Sequence, residues 1–152
     1  MILKQLKNTL TNLFQSNHTT EEKLQKTCDL LQSNVPHYDW VGFYFSNHER
    51  KTLHLGAYSG LPTDHTVIPF GKGICGQVAE SNQTFLVDDV AAQENYISCN
   101  INVKSEIVVP IFVNGTNIGQ IDIDSNILNA FSKEDQEFLE WIADEIAEMY
   151  KS

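Results

Sequence analysis

Residues 106–124 constrain the fold more than any other part of the chain. Two runs of strand-forming residues, EIVVPIFV (106–113) and NIGQIDID (117–124), flank Asn114-Gly115. Asn-Gly tolerates the positive backbone angles of a tight turn, so the two runs are expected to pair as an antiparallel hairpin. Side chains alternate across a strand, which puts Ile121 and Ile123 on one face and Asp122 and Asp124 on the other. The isoleucines belong against a helical layer. Counting outward from the turn brings Glu106 to the Asp122–Asp124 end. For an isolated strand the acidic face would simply be solvated. In the hairpin, three carboxylates gather at one end, where like charges raise at least one pKa and leave a receptor for an ammonium group.

The segments around the hairpin set the fold class. Leu3, Leu6, Leu10, Leu13 and Phe14 recur at helical spacing. Thr19 and Glu22 form a capping box for a second helix, carrying Leu24, Cys28, Leu31 and Val35 on its apolar stripe and ended by Pro36. Short β-rich segments follow: WVGFYFS (40–46), TLHLGAYS (52–59) and TFLVDD (84–89). Between residues 60 and 105 only that last strand is clear, so much of this stretch is expected to be loop or short helix, as over a binding site. Ser132 and Asp135 cap a final helix with Phe138, Ile142, Ile146 and Met149 on one stripe. The pattern is α+β: an antiparallel sheet with helices packed largely on one face.

A chain of 152 residues is one domain of ordinary size. Its net charge of −10, with only ten basic residues, argues against nucleic acid as a partner. No segment approaches the run of about 20 apolar residues that spans a membrane, and the N-terminus does not resemble a secretory signal. The expectation is a soluble, cytoplasmic protein.

Three cysteines, Cys28, Cys75 and Cys99, argue against a disulfide framework, and none has zinc-like spacing to another Cys or His. No metal or cofactor is expected. Cys28, on an apolar stripe, reads as core. Cys75 lies in PFGKGICGQVAE (69–80), where Gly71, Gly73 and Gly76 permit a tight backbone and GQVAES (76–81) looks like the start of a short helix. Two readings of Cys75 stand level: a thiol with a lowered pKa near a helix N-terminus and Lys72, or a small buried residue. The glycines could cradle an anion, but they match neither a P-loop nor a dinucleotide fingerprint. Cys99 sits in a polar loop seven residues before Glu106. Two thiols with clustered carboxylates suit sulfoxide reduction. A thiolate attacks the electrophilic sulfur, a carboxyl protonates the departing oxygen, and a second thiol condenses with the sulfenic acid.

DWVGFY (39–44), PFGKGICG (69–76), SEIVVPI (105–111) and GQIDIDS (119–125) together resemble the free methionine-(R)-sulfoxide reductases, a GAF-domain family. The resemblance spans residues 1–152 as a single GAF domain. It implies a six-stranded antiparallel sheet with helices packed on its faces, and often a homodimer. By similarity, Cys99 attacks free methionine (R)-sulfoxide and becomes sulfenic acid. Glu106, Asp122 and Asp124 hold the substrate's amino group and sulfoxide oxygen, and Trp40, with Tyr44 as a weaker candidate, walls the pocket. Amides of the loop around Cys99 would take the substrate carboxylate.

Many members carry a further cysteine ten residues before the one in GKGICG, where this chain has His65, a surface histidine by expectation. That leaves Cys75 as the resolving thiol implied for Cys99, with thioredoxin as reductant. Asn100 stands where the family often has Asp. Two other readings of the same residues are a GAF module that senses a small ligand without turning it over, and a thiol sensor that responds directly to oxidants.

Overall fold

The computed structural model describes residues 2–94, 96 and 102–151. Cys99 and Asn100 lie outside the described residues. Helices α1 (Ile2–Phe14) and α2 (Thr20–Asn34) lead into strands β1 (Trp40–Asn47), β2 (Thr52–Ser59) and β3 (Val67–Pro69). Helix α3 (Gly73–Ser81), strand β4 (Phe85–Val87) and a short 3-10 turn at Val90–Ala92 follow. Strands β5 (Ser105–Val113) and β6 (Thr116–Ser125) precede helix α4 (Lys133–Met149).

The β5–β6 hairpin closes on Asn114 and Gly115, whose φ angles of 52° and 80° are the pair of positive values that the two-residue turn demands. Both expected capping boxes form. Thr19 accepts from the Glu22 amide, Ser132 accepts from the Asp135 amide, and each acidic side chain reaches back to the cap.

All six strands pair antiparallel in the order β3-β2-β1-β6-β5-β4, so the first long strand lies beside the last. One face carries α1, α2 and α4. Ile107, Val109, Ile111, Ile121 and Ile123 pack there against Leu31, Phe138, Leu139, Ile142 and Ile146. Each such Leu or Ile contributes about 1.5–3 kcal/mol on leaving water. The helices are thus largely on one face, as expected.

The other face carries α3, over Trp40, Tyr44, Leu53, Ile68, Val87 and Val108. Two boundaries differ from expectation. The 84–89 segment is paired only over Phe85–Val87, and β3 is an additional strand. Three residues ending in Pro69 are too short to show a period in sequence, and their pairing with Thr52–His54 is a tertiary event.

Candidate active site

The strand register builds the site on the α3 face. Glu106 of β5 lies directly opposite Asp124 of β6, and Asp122 lies opposite Val108. On the other side of β6, Asp124 faces Trp40 and Asp122 faces Gly42 of β1. The three carboxylates converge as the hairpin count predicted, but they are not a solvated face. Glu106 is 5% exposed, Asp122 3% and Asp124 4%.

Helix α3 covers them because of its glycines. A Cβ at Gly76 would stand 2.6 Å from the Pro69 carbonyl oxygen, so only glycine lets the helix approach the preceding turn this closely. Gly73 enters the helix at φ +63°. The amides of Gly71, Lys72 and Gly76 donate to the carbonyls of Gly76, Pro69 and Lys72, leaving these three no part in an anion cradle. Close packing is what the glycine-rich stretch provides. It delivers Cys75 to the cluster, its thiol directed at Glu106 Oε2 over 3.9 Å. Gln120, two residues before Asp122 on the same face, donates from Nε2 to the Cys75 carbonyl at 3.1 Å and ties the helix to the sheet.

Burial chiefly, and then the Asp122 and Asp124 charges, push the Glu106 carboxyl well above the usual range. Burial and the Asp122 charge do the same to Asp124. Asp122 is also raised by burial, against the pull of hydrogen bonds with Glu106 and Cys75. The cluster therefore holds on to a proton that Glu106 and the two aspartates share through their hydrogen bonds. One oxygen of each aspartate, Asp122 Oδ1 and Asp124 Oδ1, is buried and has no hydrogen-bond partner among the described residues. Such atoms cost about 1–3 kcal/mol each and point to a donor that a ligand would bring.

For Cys75 the structure selects the buried reading over the lowered-pKa one. Burial first, then Asp122, Glu106 and Asp124, hold its thiol well above the ordinary value. Lys72, exposed and among the residues lining the site, does not offset them. Cys28 is fully buried on the opposite face, its thiol raised by the same desolvation, and takes no part.

Two small cavities meet at Asp124. The first, about 20 Å³, is lined by Tyr44, His65, Ile74, Cys75, Tyr96, Glu106, Asp122 and Asp124 among others. The second, about 100 Å³, lies between Trp40, Leu61, Pro62, Val103, Asp124 and Asn126. Trp40 Nε1 donates to the Leu61 carbonyl at 3.0 Å, and its ring stacks on Tyr58 at 5.6 Å. Gly42 makes room for that ring, since a Cβ there would lie 2.3 Å from the indole. Tyr44, fully buried, donates its hydroxyl to the His65 carbonyl at 2.9 Å. His65 is half-buried and contributes that backbone contact, a more inward place than a surface histidine.

All the expected site residues among those described therefore share one face. Gln120 and Gly42 were missed. Extending the Asp122–Asp124 alternation back by two residues would have found Gln120, whereas Gly42 is revealed only by the ring lying over it.

A GAF-domain family model matches residues 17–149. The chain is 36% identical over 116 residues to the free methionine-R-sulfoxide reductase of Escherichia coli, covering 76% of this chain and 68% of that one. It is 43% identical over 107 residues to the free methionine-R-sulfoxide reductase of Saccharomyces cerevisiae, covering 69% of this chain and spanning 59% of the yeast protein. The fRMsr of Staphylococcus aureus in its reduced form superposes with a TM-score of 0.88 at 37% identity, over 97% of this chain and 94% of that one. The same protein in complex with substrate gives 0.87. The chain belongs to the GAF-domain family of free methionine-R-sulfoxide reductases.

Proposed function

We propose that the protein reduces free L-methionine (R)-sulfoxide to methionine, with Cys99 as nucleophile, Cys75 as resolving thiol and thioredoxin as reductant. The observation that carries this reading is the buried cluster of Glu106, Asp122 and Asp124, with two aspartate oxygens unpartnered among the described residues, beside the Cys75 thiol. A free amino acid brings an ammonium group, which supplies three donors and a positive charge where the cluster lacks both. A methionine inside a peptide has no such group.

In the reaction, the Cys99 thiolate attacks the sulfoxide sulfur while the protonated Glu106 carboxyl donates to its oxygen. The protonated oxygen passes to the Cys99 sulfur as the substrate's S–O bond and the transient sulfur–sulfur bond break, so methionine departs as the thioether and Cys99 is left as a sulfenic acid. The Cys75 thiol then displaces that oxygen as water, its proton leaving with it, and a Cys75–Cys99 disulfide forms. Two electrons and two protons from the thioredoxin dithiol restore both thiols. Trp40 and Tyr44 wall the methyl and methylene groups, and Asp122 and Asp124 hold the ammonium. Burial and the neighbouring carboxylates keep the Cys75 thiol protonated, so its attack on the sulfenic sulfur must pass that proton to the departing hydroxyl. The reducing compartment this cycle needs is the cytoplasm, and family resemblance adds a homodimer to the proposal.

A single turnover by the pre-reduced protein tests this. One equivalent of methionine from the (R) epimer, none from the (S) epimer, and a Cys75–Cys99 disulfide in the peptide map are expected. Equal turnover of both epimers, or undiminished reduction by Cys99→Ser, would overturn it.

A further inference from the structure

The donor set that suits an ammonium group is also a set of metal ligands. Cys75, Glu106 and Asp122 each offer one ligand atom, and these three atoms lie within 4.8 Å of one another. A tetrahedral zinc ion with sulfur at about 2.3 Å and oxygen at about 2.1 Å sets those donors roughly 3.6 Å apart. Cys75 Sγ and Glu106 Oε2 already stand at 3.9 Å. A second observation points the same way: Asp122 Oδ1 and Asp124 Oδ1 are buried and unpartnered among the described residues, and both residues line the cavity that Cys75 and Glu106 line. That cavity, about 20 Å³, has room for one water-sized species, the size of a bare ion or of an ammonium group.

We propose that in the reduced protein Cys75, Glu106 and Asp122 bind a zinc-class divalent ion, with Asp124 or a water as fourth ligand. The ion occupies the place of the substrate ammonium and sequesters the Cys75 thiol. One thiolate beside carboxylates selects a borderline or soft ion such as Zn²⁺ or Cd²⁺ over Mg²⁺ and Ca²⁺, which take all-oxygen shells. Each ligand still protonated gives its proton to solvent on binding, and the ion removes the like-charge repulsion within the cluster. Lys72, which also lines the cavity, is exposed and can keep its ammonium in water. Binding stands on the donor geometry alone; its competition with substrate rests on the proposed function.

Cadmium titration of the reduced protein tests this through the ultraviolet absorption of the cadmium–thiolate bond. One ion per chain is expected, with release of protons. The band is expected to persist in a Cys28→Ala, Cys99→Ser double variant, where Cys75 is the remaining thiol, and to vanish in Cys75→Ser. Asp122→Asn is expected to weaken binding tenfold or more. No band in the wild type, or a band that survives Cys75→Ser or is lost with Cys99, overturns the site. Free methionine is expected to weaken cadmium binding at least tenfold. If it does not, while the variants behave as stated, the metal site stands and the ammonium reading fails.

Discussion

Glu106 binds its proton more tightly in the folded chain than in the unfolded one, because burial and the neighbouring aspartates penalise its anion. Below the unfolded carboxylate range, about pH 4, both states are protonated and the cluster costs little. As pH rises the unfolded chain ionises first, so this contribution to stability is lost progressively up to the folded pKa. Glu106→Gln has no proton to lose. Its stability relative to wild type, measured by urea unfolding, is expected to increase from pH 5 to pH 8. A difference that stays constant with pH would contradict the charge assignment.

Gly42 makes a second prediction at this scale. The Cβ of Gly42→Ala would meet the Trp40 ring at 2.3 Å, so the indole must move. KM for the sulfoxide is expected to rise tenfold or more with a smaller change in kcat, and indole fluorescence is expected to shift. Of the single residues, the carboxylates were readable because alternation is local, and Gly42 was not because its role exists only against a neighbouring ring.

Helix α4 begins at a junction that does more than cap it. Asp135 accepts from the Ser132 amide and hydroxyl and from the Tyr38 hydroxyl at 2.6 Å, with His37 Nε2 at 3.1 Å. Burial raises the Asp135 pKa, but these bonds outweigh it and leave the carboxyl below its usual range. Ser132→Ala is expected to cost about 1 kcal/mol. Asp135→Ala also orphans the buried Tyr38 hydroxyl and is expected to cost about 2–3 kcal/mol. Turnover is expected to be retained in both, since the junction packs on the face away from the cluster. Urea unfolding and activity measured on the same samples check this.

The two capping boxes were legible because each is a contact within four residues. Strand β3 and the entry of α3 were not. The first is held by pairing with β2, and the second by the approach of Gly76 to Pro69, both contacts between segments.

In the whole molecule, the pairing of β1 with β6 decides where the chemistry sits. It sets Trp40 beside Asp124 and Gly42 beside Asp122, joining residues about eighty positions apart. Helical and strand periods could give the α+β class and the helix-covered face. They could not give the strand order, which rests on pairings between segments far apart in sequence. The Ile121 and Ile123 side chains lock the acidic face inward by packing on the helical layer. Ile123→Ala would leave a cavity there, and a loss of about 2–5 kcal/mol is expected from thermal or urea unfolding.

The claim that the cluster selects a free amino acid by its ammonium group is tested most directly by thioredoxin-coupled NADPH consumption. The substrates to compare are free methionine (R)-sulfoxide and its N-acetylated form, which keeps the sulfoxide and loses the charge. The expected result is turnover of the free form, with kcat/KM for the acetylated form lower by a hundredfold or more, and that preference erased in Asp122→Asn. Equal turnover of the two forms by the wild-type protein would contradict it.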